Sequence, residues 1–445
     1  MVALTLQQRN LLHLLLTADA PLAMAQLAEQ TNLSSRQVNY RLKPVRAWLA
    51  QRDIALKATP GLGVTLECSP RQRQHLLHEL DAKSDFHLVL TAGQRQQLIA
   101  LHLISAAEPL ILNWLQHNTG VSRTTVLKDL DLVEEWAAAF GLTLVRKPNY
   151  GIEVNGPELA RRQTLAALMW GDTPFEDQLT SMSHASGLTF ALAGNTAPPI
   201  VPRTTRLLNN WDIQYAFEWV AFAEAQLGGR FTDNAVLHLA LTLAIQAQRA
   251  RTGHTVACPA DTLAWLQQQK VWTVARDVTQ TIWAASPASI PPTETAVIAM
   301  QLLATVRDHM WPGDLEIDPT LTDLIDVLMA EVAMAFATPG LRQDTALRDG
   351  LVAHIIPALM RQRFGLWAPL PLIDEQLPDR YQQEYTIARE LTVTVAERTG
   401  VTLPDAEIGT LALLLRAAFI RESASRPKRV YIICPSGMAT AQLLV

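Results

Sequence analysis

Cysteine is scarce in this chain. Cys68, Cys258 and Cys434 are the three cysteines in 445 residues, and they show neither metal-ligand spacing nor the even framework of a disulfide-stapled secreted domain. Long apolar runs are missing as well. No apolar run reaches the ~18–20 uncharged residues that a membrane-spanning helix needs. The opening Met1-Val-Ala-Leu-Thr-Leu-Gln-Gln-Arg9 lacks the basic-then-apolar order of a secretory leader. Charged residues make up only 18% of the chain against 49% hydrophobic, so nothing in the composition calls for disorder and there is ample material for buried cores. These absences lead us to expect a cytoplasmic protein without a membrane span, and the length suggests three or four domains. Catalytic constellations are lacking too. His75 and His78 could share a helix face, but no further ligand stands at metal spacing beside them. Neither an enzyme, a metal nor a cofactor is expected.

The net charge of −5 hides a local field. Within residues 1–60, Arg9, Arg36, Arg41, Lys43, Arg46, Arg52 and Lys57 stand against only Asp19, Glu29 and Asp53. A basic end of this kind suits a polyanion. The same end is duplicated. Leu33-Ser34 recurs as Val121-Ser122, Val38 as Val126, Leu42 as Leu130, Trp48 as Trp136, Pro60 as Pro148 and Gly63-Val64 as Gly151-Ile152, always 88 residues on. Each copy reads as a helical hairpin followed by a β-wing. In the first, helices cover 8–16 and 24–30, Asn32-Leu33 is the turn, Ser34 caps a third helix, and strands cover 54–57 and 64–67. The capped helix carries Arg36, Gln37, Asn39, Tyr40, Arg41 and Lys43 around the apolar anchors Val38 and Leu42. Arginine suits guanine, asparagine and glutamine suit adenine, and the basic residues suit phosphate. Pro44 is expected to end or kink this helix. In the second copy Ser122 opens a helix with Arg123, Thr124, Thr125 and Lys128, which is less basic and suits phosphate contact or packing. One polar helix face alone could be a solvated surface; the duplication and the wing favour nucleic acid.

A second duplication fills the C-terminal half. Thr242 to Arg249 matches His354 to Arg361 at a shift of 112, and Glu294 to Gln301 matches Glu407 to Leu414 at 113, as two copies of one helical domain should. His354 is therefore singular, because its three equivalents are Thr242, Gln301 and Leu414. A neutral imidazole is nucleophilic near pH 7, whereas an amide or an alkyl group cannot carry a phosphoryl group on a ring nitrogen. From Val352, Ile355 and Ile356 alone, His354 would be a core histidine. Arg361 lies two turns along the same face, placed to pair with added negative charge, with a carboxylate, or simply to anchor the helix surface. His238, one turn before Thr242, is either a substitute acceptor or a packed histidine.

Leu351-Val-Ala-His354-Ile-Ile-Pro-Ala-Leu-Met-Arg361, with Pro369-Leu-Pro-Leu372 and Tyr381-Gln-Gln-Glu-Tyr385, resembles a regulation domain of the sugar phosphotransferase system (PTS). The whole order is similar to transcriptional activators of the mannitol and lichenan operon type, which carry two such domains. Arg429-Val-Tyr-Ile-Ile-Cys434-Pro-Ser-Gly437 resembles the start of the system's enzyme IIB component. The resemblance implies a mainly α fold: two tandem winged helix-turn-helix domains, at 1–70 and at 90–160 (the latter Mga-like), then a linker at 183–203. All-helical PTS regulation domains would follow at 205–314 and 318–421, and a truncated start of the IIB-like domain at 429–445. It implies PTS-dependent phosphorylation of His354 supported by Arg361, with Cys434 and His238 as further acceptors. Ser34, Arg36, Gln37, Asn39, Tyr40, Arg41 and Lys43, with Arg123, Thr124, Thr125 and Lys128, would hold DNA. Promoter DNA, the PTS phosphocarrier, enzyme II components and a second copy in a homodimer are the implied partners. An RNA-binding antiterminator shares the regulation domains but opens with a short β-rich module; a IIB phosphotransferase fragment would depend on Cys434.

Overall fold

Apolar residues three and four apart dominate the sequence, and the fold is mainly α-helical. The computed structural model describes residues 4, 6–18, 20–31, 34–59, 63–81, 90–148, 150–176, 180–181, 191–192, 211, 213–283, 290–309, 311, 313–369 and 377–423. The chain divides into two compact units. One comprises Met1–Ala139, Thr143–Asn155 and Thr173–Leu208; the other comprises Phe140–Leu142, Gly156–Asp172 and Asn209–Val445.

In the first unit, helices α1 (Leu6–Thr17), α2 (Met24–Thr31) and α3 (Ser35–Ala50) precede strands β1 (Ala55–Thr59) and β2 (Gly63–Glu67) and helix α4 (Pro70–Asp81). Ser34 starts α3 with a reciprocal cap. Its hydroxyl accepts the Gln37 N–H at 3.3 Å, and the Gln37 Oε1 accepts the Ser34 N–H at 2.8 Å. Val38, Leu42, Val45, Trp48 and Leu49 form the buried stripe of α3, in one core with Leu11, Leu12, Leu15, Leu16 and Leu27. Of the two outcomes expected at Pro44, an end or a kink, the first does not occur, and α3 runs on to Ala50. The proline removes one backbone donor, but Val45, Trp48 and Leu49 stay buried beyond it and hold the last turns in place.

The second copy repeats this arrangement residue by residue. Helices α5 (Ala92–Ser105), α6 (Leu112–Thr119) and α7 (Arg123–Ala138) lead to β3 (Thr143–Lys147) and β4 (Gly151–Asn155), and both hairpins are antiparallel. α6, α7 and both strands start 88 residues after their counterparts. In each copy a residue upstream pairs with the hairpin as a third strand, Leu22 with Val64 and Leu110 with Ile152. This close approach explains the repeated glycine. Gly63 has φ +113° and Gly151 φ +127°, and an added Cβ would come within 2.5 Å of the Leu22 oxygen or 3.0 Å of the Leu110 oxygen.

Helix α8 (Glu158–Trp170) begins 88 residues after α4, so it is the last element of the second copy in sequence, yet it belongs to the other unit. Its composition explains why. α4 reads Pro-Arg-Gln-Arg-Gln-His, whereas α8 is buried continuously from Arg162 to Met169. The first unit ends with the short strands β5 (Thr180–Ser181) and β6 (Ala191–Leu192), which pair antiparallel. The remainder of the expected linker 183–203, the turn at Asn32-Leu33 and the whole of 429–445 with Cys434 lie outside the described residues.

The second unit continues with α9 (Ile213–Leu227), α10 (Asp233–Arg251), α11 (Ala260–Gln267), α12 (Val271–Ile282) and α13 (Pro292–Ala304). Helices α14 (Thr320–Ala335), α15 (Thr345–Phe364), α16 (Leu377–Arg380), α17 (Gln382–Thr399) and α18 (Asp405–Ser423) complete it. The duplication is visible in the helix starts. α10 and α15 begin 112 residues apart, and α13 and α18 begin 113 apart. α15 is buried without interruption from Gly350 to Arg361, Pro357 included, as a central helix of its copy.

Candidate functional site

His354 sits in the middle of α15 with only 5% of its surface exposed. Glu407, in the first turn of α18, faces it. The His354 Nε2 lies 3.1 Å from Glu407 Oε2, in ion-pair range, although the two are not aligned as a hydrogen bond and the nitrogen has no other partner. Two turns along α15, Arg361 donates from Nη2 to Glu407 Oε1 at 2.7 Å and from Nη1 to the Ala304 carbonyl at 2.8 Å. Ala304 ends α13, so the guanidinium also satisfies an orphan helix carbonyl. Burial pushes the Glu407 carboxyl up, but His354 and Arg361 overcome that and hold it at about 2. The result is one carboxylate shared by an imidazole and a guanidinium in a water-poor seam.

The equivalent positions of the other copy are wired differently. Thr242 donates its hydroxyl to the Leu239 carbonyl of its own helix at 2.9 Å, which leaves it chemically idle. Glu294 is fully buried and does not pair with Arg249 as Glu407 pairs with Arg361. It accepts two hydrogen bonds from Arg162 of α8, at 2.8 and 3.0 Å, with further donors from Gln246 and the Val256 backbone. Arg249 turns instead to Glu158 of α8, at 2.8 and 2.6 Å. Two carboxylates and two guanidiniums join in one network, and both outside members come from one helix.

His238 lies between these clusters, edge-on to Trp170 and to Trp367, with ring centroids 6.0 and 5.3 Å away. Its Nε2 is buried without a partner. Burial first, and the nearby Arg361 second, push its pKa down to about 3, so the ring is neutral. It borders a cleft of about 20 Å³ with Thr242, Gln301 and Arg361, room for a water molecule and not for a phosphoryl group.

In the first unit, α3 presents Arg36, Gln37, Asn39, Tyr40 and Lys43 to solvent and leaves Arg41 half-buried. Tyr40 is 73% exposed, unusual for an aromatic residue without a partner to cover it, and Lys43 Nζ stands 6.0 Å over its ring. Gln37 and Ser34 are engaged in the cap, so their side chains already have work in the free protein. On α7, Arg123, Thr124 and Lys128 are exposed, while Thr125 is half-buried with its hydroxyl 3.0 Å from that of Ser122. The basic residues around α7 are offset. Arg146 pairs with Asp131 at 2.8 Å and with Glu134 at 2.5 Å, and Lys147 pairs with Glu153 at 2.8 Å.

Glu407, Glu294, Glu158 and Arg162 were not singled out as site residues from sequence. The two glutamates carried a usable signal, since each opens the matched block at the 113-residue shift. The α8 pair carried none, because its partners lie 91 and 132 residues away.

Comparison with known proteins adds the family context. Residues 329–418 match the PRD domain family. The chain is 24% identical over 440 residues to the "Probable licABCH operon regulator" and 23% identical over 449 residues to the "Transcriptional regulator ManR", both of Bacillus subtilis (strain 168). Each alignment covers 98% of this chain and 65% of the relative, so the chain spans about two thirds of the length of the curated relatives it matches. A solved structure of ScpB from Mycobacterium tuberculosis, at 21% identity over 34% of this chain and 91% of its own, has a TM-score of 0.13 and carries no argument.

Proposed function

From the premise that the chain carries a PRD domain and is a homologue of operon regulators, we propose that it is a DNA-binding transcriptional regulator of a carbohydrate operon. PTS-dependent phosphorylation of His354 controls it. The supporting observation is the contrast between the copies: the imidazole shares Glu407 with Arg361, while its counterpart Thr242 is bonded within its own helix.

The charge arithmetic favours a switch. A phosphoryl group adds about −1.5 to −2 charges beside a carboxylate only 3.1 Å from the ring nitrogen. Two unit charges about 4 Å apart repel by about 4 kcal/mol at the effective dielectric of a protein site. That is close to the ~5.5 kcal/mol that carries a two-state equilibrium from one side to the other. Arg361 is at hand to exchange Glu407 for the phosphate. Nε2 is covered by Glu407 in the structure, so transfer to this nitrogen requires the α15–α18 seam to part first. The acceptor is then masked in one arrangement and open in another. In a homodimer the added charge appears twice across the two-fold axis.

DNA is held by the first copy, where Arg36, Asn39, Tyr40, Arg41 and Lys43 line α3 and Ser34 and Gln37 fix its start. Arg123, Thr124, Thr125 and Lys128 of the second copy give further phosphate contacts, while the neighbouring Arg146 is taken up by Asp131 and Glu134. Titration of operator DNA with wild type, His354→Ala and His354→Asp, together with mass mapping of phosphohistidine after incubation with the PTS phosphocarrier, tests the reading. We expect label on His354 and DNA affinities that differ at least tenfold between the Ala and Asp variants, about 1.4 kcal/mol. Equal affinities, or no label on His354, reject it.

A further inference from the structure

Helix α8 touches both helical copies of its unit. Through Glu158 and Arg162 it closes the network on Arg249 and Glu294. From the middle of the helix, next to Arg162, Gln163 Oε1 accepts the Trp367 backbone N–H at 2.8 Å, and Asp172, just past the helix, accepts the Trp367 indole N–H at 2.8 Å. Trp367 is itself tied to the histidine helix. Gly365 ends α15 in the left-handed conformation, and Leu366 donates its N–H to the Arg361 carbonyl at 2.9 Å. A displacement of α15 around Arg361 is therefore delivered to Trp367 within a few residues. On its N-terminal side, α8 is separated from β4 by Gly156 and Pro157 alone.

We infer that α8 is a relay: the threonine copy has lost its acceptor and serves as the anchor on which α8 is seated, while Trp367 reports the state of the His354–Glu407–Arg361 cluster to it. The use of this relay in regulation rests on the reading of His354 as an acceptor. The mechanical claim does not. It requires that the cluster and α8 share one energetic pathway through Trp367, a coupling that a mutant cycle can measure.

Amide hydrogen exchange of the full chain, read by mass spectrometry over 158–170, tests it. Trp367→Phe keeps a ring beside His238 but loses the indole donor, so exchange of α8 should rise about fivefold, the equivalent of one net hydrogen bond. Asp172→Ala should do the same, whereas Asp172→Asn, which keeps an acceptor, should not. His354→Asp should raise the same peptides, and combined with Trp367→Phe it should add little, since both act through one contact. An α8 that ignores Trp367→Phe or His354→Asp, or that responds to them additively, overturns the relay. Operator-DNA affinity separates the two readings. An α8 response with unchanged DNA affinity supports the relay and removes the regulatory reading; changed DNA affinity with a silent α8 does the reverse.

Discussion

In the N-terminal helical copy Glu294 takes its guanidinium from Arg162, on a helix outside the repeat; in the C-terminal copy Glu407 takes its own from Arg361, on the histidine helix itself. The arginine and glutamate positions are the same in both copies. What differs is whether a foreign helix has supplied a second ion pair. With α8 present, Glu294 and Arg249 near Thr242 each have a partner of opposite charge. Without it, one carboxylate is divided between an imidazole and a guanidinium. The lesson is that a duplicated domain can be turned from sensor to support without losing its charged residues, by changing which side chains complete the set.

The largest expected effect comes from removing one cation from each cluster. Arg162→Met leaves Glu294 buried and charged, and Arg361→Met does the same to Glu407; each should destabilise the helical unit by about 3–5 kcal/mol, read as a lowered thermal midpoint. Glu294 keeps the Gln246 and Val256 donors in the first variant, and Glu407 keeps His354 beside it in the second. A midpoint unmoved by either change would break the reading of that carboxylate as held by its arginine.

Acid sensitivity of the wild type comes next. His238 titrates at about 3 in the fold against 6.5 when unfolded, so the unfolded chain binds a proton that the folded chain refuses. Stability should therefore fall as pH drops below 6.5. Glu407, at about 2 against 4.5, adds a further loss as pH falls from 4.5 towards 2, because only the unfolded chain protonates there. His238→Phe should flatten the stretch between 6.5 and 4.5 in a pH series of thermal midpoints and leave the lower one. An unchanged upper stretch would show that His238 is not its cause.

Thr242→His is a smaller and sharper test. The larger ring in a filled site should cost about 1–3 kcal/mol, and it should gain no phosphate under conditions that label His354, because Glu294 is already committed to Arg162. Label at 242 would show that a histidine alone makes the site. Thr242→Val, the mildest change, loses one intrahelical hydrogen bond of about 1 kcal/mol. DNA affinity should not move; a tenfold change would give the threonine a part that its geometry does not suggest.

Much of this was legible before any coordinates, and the reasons are local. Ser34 and Ser122 sit one residue before helices that begin at Ser35 and Arg123, because a hydroxyl at that position satisfies a free backbone amide wherever it occurs. The glycines at 63 and 151 mark a close backbone approach in both copies. Structure adds what residue type leaves out. Gln37 suits adenine by type, and in the free protein its amide oxygen completes the Ser34 cap. Pro44 is expected to end or kink α3, and the helix continues through it because the buried stripe on either side outweighs one lost hydrogen bond.

The sequence by itself determined the two duplications, the starts of the helices that follow Ser34 and Ser122, and the singularity of His354, since periodicity, caps and internal shifts can be read along the chain. Tertiary structure alone decided that Glu407 covers the imidazole, that His238 is held neutral, and that α8 leaves its own repeat to complete the charge set of another. Electrostatic pairing in a buried site depends on distance through space, and residues 46 to 132 positions apart leave no local trace of having met.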